Sequence, residues 1–474
     1  MRCPSFPPIL RGQAGQTLLV ILTIMLAVTV SSTSFLWFMN QQQTRAGNRY
    51  RALAALHVAE AGVQRTLGIL ESTSPDGTTP GRDWRPSGYT ETVGVGRLGG
   101  RFTVWVESDA SGALLVTSEG QVGHIVRRLR ARVSLASPAL LAALYGAAII
   151  HFGGAPASTY ILPYGEPAGR PWIQIAAGRE VSFATTDVSI NDPSTPLTPA
   201  PGPLDPLISP NGIPQTERLE PVRVLLAKGA ELTIGEDHRR VDVQQLRVAG
   251  IRLDPVVRRV DRLPPLPAVN RALYQSLAAA NTANAKINRA AGRFAGDVEM
   301  EQKRDSLYLG PQMGKVLTYL ASLNDPPSLR GVIYVAGGVT LPARSRVHIA
   351  DGALMAENTV KLEQDAELWV THTALTRMLP GIVVLDNGGL VVSQGASMRI
   401  HGLTYTNQRF EAAAGAHVEV VGALVSNDPG ISVRNDGATI AIRYDPAVLG
   451  TPGLRVAPDD PVIAWVAEWR EVRR

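Results

Sequence analysis

Eight histidines, at positions 57, 124, 151, 238, 348, 372, 401 and 417, are the side chains best suited to hold a metal or move a proton near neutral pH. None pairs with another at metal-ligand spacing, and no HExxH helix signature occurs. His348, His401 and His417 fall on candidate strands and could line up across a stack; solvent-facing or hydrogen-bonded histidines are the plainer reading. Two carboxylates flanking a sugar could hydrolyse a glycosidic bond, so the acids matter too. Asp351, Glu363, Asp365, Asp386 and Asp436 are scattered near turns, and His401-Gly402 has no Asp-Asp neighbour. Whether any two acids meet on adjacent strands is a question of coordinates. Phosphate chemistry lacks its cradle. There is no P-loop, and GVGRLGG (Gly94 to Gly100) breaks the dinucleotide spacing and precedes a strand instead of opening a helix. That removes an ATPase role. No G-x-S-x-G elbow appears either. The expectation is a protein that is not an enzyme, with no catalytic residue, no metal and no cofactor.

Composition sets the frame around those residues. A chain of 474 residues suggests two or three modules, and 45% apolar with 18% charged residues excludes a disordered or solvating tail. The 45 glycines and 34 prolines imply many turns and leave little room for a large helical bundle. Aromatics at 5% are sparse for a protein that stacks nucleotide bases. The net charge of +5 is almost all arginine, since the only lysines are Lys228, Lys286, Lys303, Lys315 and Lys361. No basic block with interleaved aromatics stands out, so no nucleic acid partner is expected. Cys3 is alone, which excludes a disulfide framework.

Thr17 to Met39 run for 23 residues without a charge. As a helix they reach about 34 Å, enough to cross a hydrocarbon layer of about 30 Å. Ser31 to Ser34 weaken the second half, but their hydroxyls can bond back to helix carbonyls; Phe35, Trp37 and Phe38 restore an interfacial aromatic edge. A secretory signal cleaved near Ser31–Ser32 is the rival reading. A buried helix is a poorer one, for nothing downstream offers an apolar partner of that length. Arg2 and Arg11 before the segment balance Arg45, Arg49 and Arg51 after it, so charge alone does not orient it.

The helix should continue to Glu71, where STSPDGTTPG ends it. Leu53, Leu56, Glu60, Val63, Leu67 and Leu70 recur at spacings of three and four, one face of a helix. Glu60 sits in that stripe and is the first acid of the chain. Buried there it needs a partner, which Arg49, Arg51 or Arg65 could supply; otherwise it tilts out to solvent. Gly62 would be small because a strand or helix passes close.

The tail RGQAGQ, the opening TLLV, and the run Ala52 to Leu67 containing Ala59-Glu60-Ala61-Gly62 resemble the N-terminal domain of PilX-type proteins of type IV pilus assembly. LLVTSEGQVGHIVRRLRARV (Leu114 to Val133) is similar to the strand pair closing that domain, so the resemblance covers about residues 10–135. It implies prepilin-type processing between Gly15 and Gln16. It also implies other pilin-like subunits and inner-membrane pilus assembly proteins as partners. One departure stands: the Glu that major pilins carry five residues after the cleavage-site glycine is Val20 here.

The remainder reads as β structure. RFTVWV, ALLVTS and HIVRRLRARVSL alternate between turns, which predicts a three-stranded antiparallel meander against the amphipathic half of the helix. Residues 193–221 are proline-rich and read as an insertion, and 268–291 read as a second helix after LPPLP. From Leu329 to Tyr444 a plan repeats: Gly331, Gly352, Gly381, Gly402 and Gly422 each lead a short apolar strand that Gly or Asn closes. Starts 21, 29, 21 and 20 residues apart suit a β-solenoid better than an antiparallel sandwich. Ladders of this kind are similar to the C-terminal β-solenoid domain found behind PilX-type N-termini.

The expected whole is an α+β, membrane-anchored protein. Residues 1–16 form a cytoplasmic leader or tail, 17–39 a transmembrane helix, and 40–135 a pilin-like helix with its β-meander. The solenoid starts over 136–192, is interrupted by the insertion 193–221 and by β segments and a helix over 222–328, and resumes as repeats with a C-terminal tail over 329–474. The functional expectation is a non-catalytic pilin-like component, single-pass in the inner membrane, with its body periplasmic or extracellular and pilus-associated. The alternative is a secreted or surface β-solenoid adhesin or carbohydrate-binding protein.

Overall fold

The computed structural model describes residues 10–72, 81–153 except 96–97 and 110–111, 158–163, 173–190 except 185–187, 221–280 except 236, 249–250, 252 and 255, then 317, 321, and 328–472 except 374–375 and 434–436. The proline-rich stretch 193–220, Cys3 and Asp436 lie outside these residues.

Helix α1 (Leu10–Glu71) is one unbroken element of 62 residues. Its second half lies on an antiparallel sheet that begins with strands β1 (Ser87–Val95), β2 (Leu98–Ser108), β3 (Leu114–Val122) and β4 (Ile125–Ala136). The expected meander of three strands is therefore four, because Ser87–Val95 pairs in register with β2. β3 shows why the chain is extended here: its residues alternate buried and half-buried without a break, the period-two pattern of a sheet with one face on a core. A fifth strand joins from far away. Ile463–Glu471, expected as part of a tail, pairs antiparallel with β4. The core between helix and sheet holds Val58, Val63, Leu70, Phe102, Val104, Val116 and Leu129, and each large side chain so buried contributes roughly 1.5–3 kcal/mol.

Between β4 and that last strand the chain builds two parallel sheets. Ser137 caps the short turn Pro138–Leu141 and hands the chain to Ala142–Gly146. Each rung then places one strand in each sheet, as Ala142–Gly146 with Ile149–Phe152, Ile173–Ala177 with Glu180–Phe183, and Val224–Ala227 with Glu231–Ile234. The repeats continue the pattern: Leu329–Val335 with Val339–Leu341, Arg346–Ala356 with Val360–Leu362, Ser397–Thr406 with Phe410–Ala412, and His417–Ser426 with Gly430–Val433. Every residue of Ser397–Thr406 is buried, as expected for a parallel strand covered on both faces.

The stacking order departs from chain order. The rung Ala142–Gly146 lies on the last long strand, His417–Ser426, not next to the first repeat. The chain thus enters the stack in its middle and builds outward to Arg258–Val260. It then crosses the whole stack through residues 261–269 and the helix Arg271–Ala279, and returns from the far end to the middle. The helix expected over 268–291 starts later, at Arg271, because Ala268–Val269 is a strand and Asn270 caps the helix, which runs to Ala279; residues 281–291 lie outside the described residues.

The leading glycines have a steric reason. Gly352 stands against the carbonyl of Gly331, and Gly422 against that of Gly402, so a Cβ at either would collide with backbone. Gly402 itself has φ +91 and would bring a Cβ 2.9 Å from the Gly381 nitrogen, a conformation and an approach open only to glycine. The closing asparagines form a second column: Asn407 Nδ2 donates to the Asp386 carbonyl at 2.7 Å, and Asn427 Nδ2 to Asn407 Oδ1 at 3.0 Å.

Candidate functional site: the helix and its sheet

The two halves of α1 live in different surroundings. From Leu18 to Met39 every side chain is exposed, and an 18-residue window reaches mean hydropathy 2.2 with none of it buried. Leu18, Leu22, Met25, Leu36 and Trp37 are each more than 60% exposed. By length and composition this half can cross a membrane. Thr23, Thr29 and Thr33 donate their hydroxyls to the carbonyls of Leu19, Met25 and Thr29 at 2.7, 2.8 and 2.9 Å, so these three hydroxyls of the apolar run are satisfied within the helix. Gly15 and Gln16 lie in the first turns of α1, and their side chains are outside the described residues.

The second half packs through small residues. Ala54, Ala55, Val58, Ala59, Gly62, Val63, Thr66 and Leu70 are buried. Leu53 is 53% exposed, and Leu56, Glu60 and Leu67 are half-buried. The face on the sheet is thus turned roughly a third of a turn from the leucine stripe at 3.6 residues per turn. Only Val63 and Leu70 belong to both. The cause is backbone proximity. Gly120 of β3 stands against the Ala55 carbonyl and the Ala59 nitrogen, with no space for a Cβ. Gly62 stands against the Ser118 hydroxyl, and a Cβ there would also meet the Phe102 ring at 3.0 Å. Gly100 of β2 leaves room for Val58, whose Cγ2 would be 2.6 Å from an added Cβ. Thr66 Oγ1 donates back to the Gly62 carbonyl at 2.8 Å, so its buried hydroxyl is satisfied. From the sequence only Gly62 is expected as a close approach; Ser118, Gly120, Ala55 and Ala59 are not, although small residues at 55, 59 and 62, four and three apart, are a signal of one.

Glu60 faces neither the core nor an arginine. It is half-exposed and its Oε2 lies 2.8 Å from Nδ1 of His57, one turn back on the same helix. Arg65 instead reaches Glu91 of β1 at 3.3 Å. Beside Glu60 a groove of about 690 Å³ opens between α1 and the sheet, lined by Leu67, Leu129, Trp465 and Trp469 among others. At its end the last helical residue, Glu71, accepts the backbone N–H of Ala464 at 2.7 Å and ties the helix to the returning strand.

On the parallel stack His372 donates its backbone N–H to Nδ1 of His401 at 3.1 Å, while the three histidines expected to align fall in different columns. His348 shares a column with Trp369, Arg399 and Glu419; His417 aligns with Glu367 and Ser397; His401 aligns with Val421. They do not line up across rungs. Asp351, Asp365 and Asp386 each adopt positive φ, Asp351 within the strand Arg346–Ala356 and the other two at turns; Glu363 pairs with Lys361, and among the described residues no three His, Cys, Asp or Glu side chains group to hold a metal. Buried acids on the stack pair with arginines. Arg399 Nε meets Glu419 Oε2 at 2.7 Å with both side chains about 95% buried, and Arg377 clasps Asp445 through two bonds of 2.6 Å.

No protein family matches this chain, and no curated protein matches it. Among solved structures it is similar to the competence-associated pilin ComZ from Thermus thermophilus, at 14% identity over 89% of this chain and 97% of that one, with a TM-score of 0.23.

Proposed function

We propose that this chain is a non-catalytic, pilin-like component of type IV pilus assembly or a related filament system, of the PilX or minor-pilin kind. The observation that carries the reading is α1 itself. Its exposed half, Leu18 to Met39, requires an apolar surrounding, either lipid or the helices of neighbouring subunits. Its packed half is fused to an antiparallel sheet through Ala55, Ala59 and Gly62. A helix built this way holds a folded body at a fixed distance and angle from the membrane. The body then lies on the periplasmic or extracellular side, and the partners are other pilin-like subunits and inner-membrane assembly proteins. The stacked parallel rungs are read as a β-solenoid carried between β4 and the last strand of the head.

Deleting the gene tests this reading. Loss of surface pili and of twitching is expected, restored by the full-length chain; normal piliation and motility in the deletion strain would overturn it. N-terminal sequencing of the mature protein tests processing, with Gln16 as the expected first residue. The size of the parallel stack favours a second reading, a secreted or surface adhesin. That reading expects soluble protein beginning near Ser32 or Thr33, whereas an anchored component stays with the membrane fraction.

A further inference from the structure

A cavity of about 590 Å³ lies on the parallel stack, under the segment that crosses it, and none of its lining residues belongs to α1 or the antiparallel sheet. Its origin is the reversal of stacking order. Tyr405 and Tyr145, which line it, belong to one column that runs Tyr334, Met355, Val383, Tyr405, Val425, Tyr145, Ala176 and Leu225 from rung to rung. The segment is fixed in place. Tyr145 donates its hydroxyl to the Pro264 carbonyl at 2.6 Å, Ser137 donates to Pro265 at 2.7 Å, and Ala268–Val269 pairs with Leu454–Arg455. Beside it runs the corner column of closing residues. In the repeats that column is made of amides, Asn407 and Asn427, but in the N-terminal half it is Ala147, Gly178 and Ala227. Where the small residues take over, the space between segment and stack stays open.

Three polar groups face this space unused. Asn427 donates to Asn407, but its own Oδ1 accepts no bond among the described residues, so the amide column ends in a bare acceptor. Tyr405 is 6% exposed, lines the cavity, and its hydroxyl has no partner among the described residues. Arg262 lines it from the crossing segment and pairs with no carboxylate among the described residues; Arg271, also on the wall, is already held by Asp386 and Glu357. Leu263 and Leu385 supply apolar surface beside them.

We propose that this cavity binds a short saccharide carrying a carboxylate. Sugar hydroxyls both donate and accept, so one ring satisfies the Asn427 acceptor and the Tyr405 hydroxyl together. The apolar face of the ring suits Leu263 and Leu385, and the carboxylate answers the arginine on the crossing segment. The volume lies within the range of roughly 300–1,000 Å³ usual for small-ligand sites, and the tethered segment means little ordering on binding. This site is independent of the filament reading, which stands or falls on piliation.

Titration calorimetry on the purified full-length chain in detergent tests the proposal, with digalacturonic acid and a glucuronate-containing disaccharide as acidic probes and cellobiose as the neutral one. Saturable binding of at least one acidic disaccharide is expected, with cellobiose at least about tenfold weaker, since a charge-assisted bond is lost. Arg262→Gln should erase that preference, and Tyr405→Phe should weaken acidic and neutral sugars alike by about tenfold. Absence of saturable binding by both acidic probes overturns the site, as does binding that neither variant changes. Equal binding of cellobiose overturns the acidic assignment. Arg262 is exposed, so Arg262→Gln keeps the test decisive even where Tyr405→Phe perturbs the fold.

Discussion

Gly62 of α1 sits directly over the Ser118 hydroxyl of β3, with no room for a Cβ between them. Two residues along β3, on the same face, Gly120 stands as close to the Ala55 carbonyl and the Ala59 nitrogen. Helix and sheet therefore touch backbone to backbone, and the contact tolerates almost no added volume.

Gly62→Leu should accordingly lower stability by about 1–3 kcal/mol or more through overpacking against Ser118 and Phe102. Gly62→Ala is the sharper probe, because alanine gains up to about 1 kcal/mol of helix propensity that the clash opposes. Pairing it with Ser118→Gly removes the colliding hydroxyl, and the double variant should melt above Gly62→Ala alone. Thermal unfolding of the detergent-solubilised chain reads all three.

Glu60→Ala is expected to change stability by no more than about 0.5 kcal/mol. The carboxylate is half-exposed and its partner is an exposed histidine one turn away, so little is lost with it. A melting shift as large as that of Gly62→Leu would contradict this placement.

Stability should fall on mild acidification. Burial depresses His372 to about 4, and its Nε2–H donates to the Gly352 carbonyl at 2.7 Å. In the unfolded chain the ring titrates near its ordinary 6.5, so the unfolded state takes up the proton first as pH drops. The contribution is full above about 6.5 and is lost progressively down to about 4, on the order of 3 kcal/mol in all. Burial lowers His348 and His417 in the same sense, while exposed His238, raised by its hydrogen bond to Glu180, acts oppositely. Melting curves between pH 7 and 4.5 should show the loss, and His372→Gln should flatten it.

Arg399→Met should cost about 3–5 kcal/mol, because it removes one member of an ion pair whose two side chains are both buried. Replacing both residues by Met should recover most of that loss. Denaturant unfolding of the single and double variants measures the difference.

Much of this architecture is legible along the chain. The uncharged run up to Met39 and the alternation of LLVTSEGQV declare a long helix and a sheet strand, since each pattern depends only on near neighbours. The leading glycines and closing asparagines likewise mark two columns of the parallel stack. The orientation of α1 is harder to read. Leucines advertise a buried face by hydrophobicity, but the sheet selects Ala55, Ala59 and Gly62 by size, a demand set by Gly120 some sixty residues away. The contact of Ala142–Gly146 with His417–Ser426 is hidden for a similar reason: a period near twenty says which strands follow one another, not which ends of two ladders meet. The cavity beneath residues 261–269 inherits that obscurity.

The return of Ile463–Glu471 to the edge of β4 has a mechanical consequence. A pull entering along α1 reaches the parallel stack by a covalent route, leaving β4 at residues 137–141, and by a second route that passes through the hydrogen bonds of β4 to the strand Ile463–Glu471 and on to the chain before it. The two strands lie side by side and antiparallel, with Arg127 and Glu471 bridging them at 2.8 Å. Neither route can be drawn out alone without sliding the pair lengthwise, which breaks their hydrogen bonds together in shear instead of unzipping them singly. A body hung on the helix in this manner resists tension far better than one tethered by a single linker.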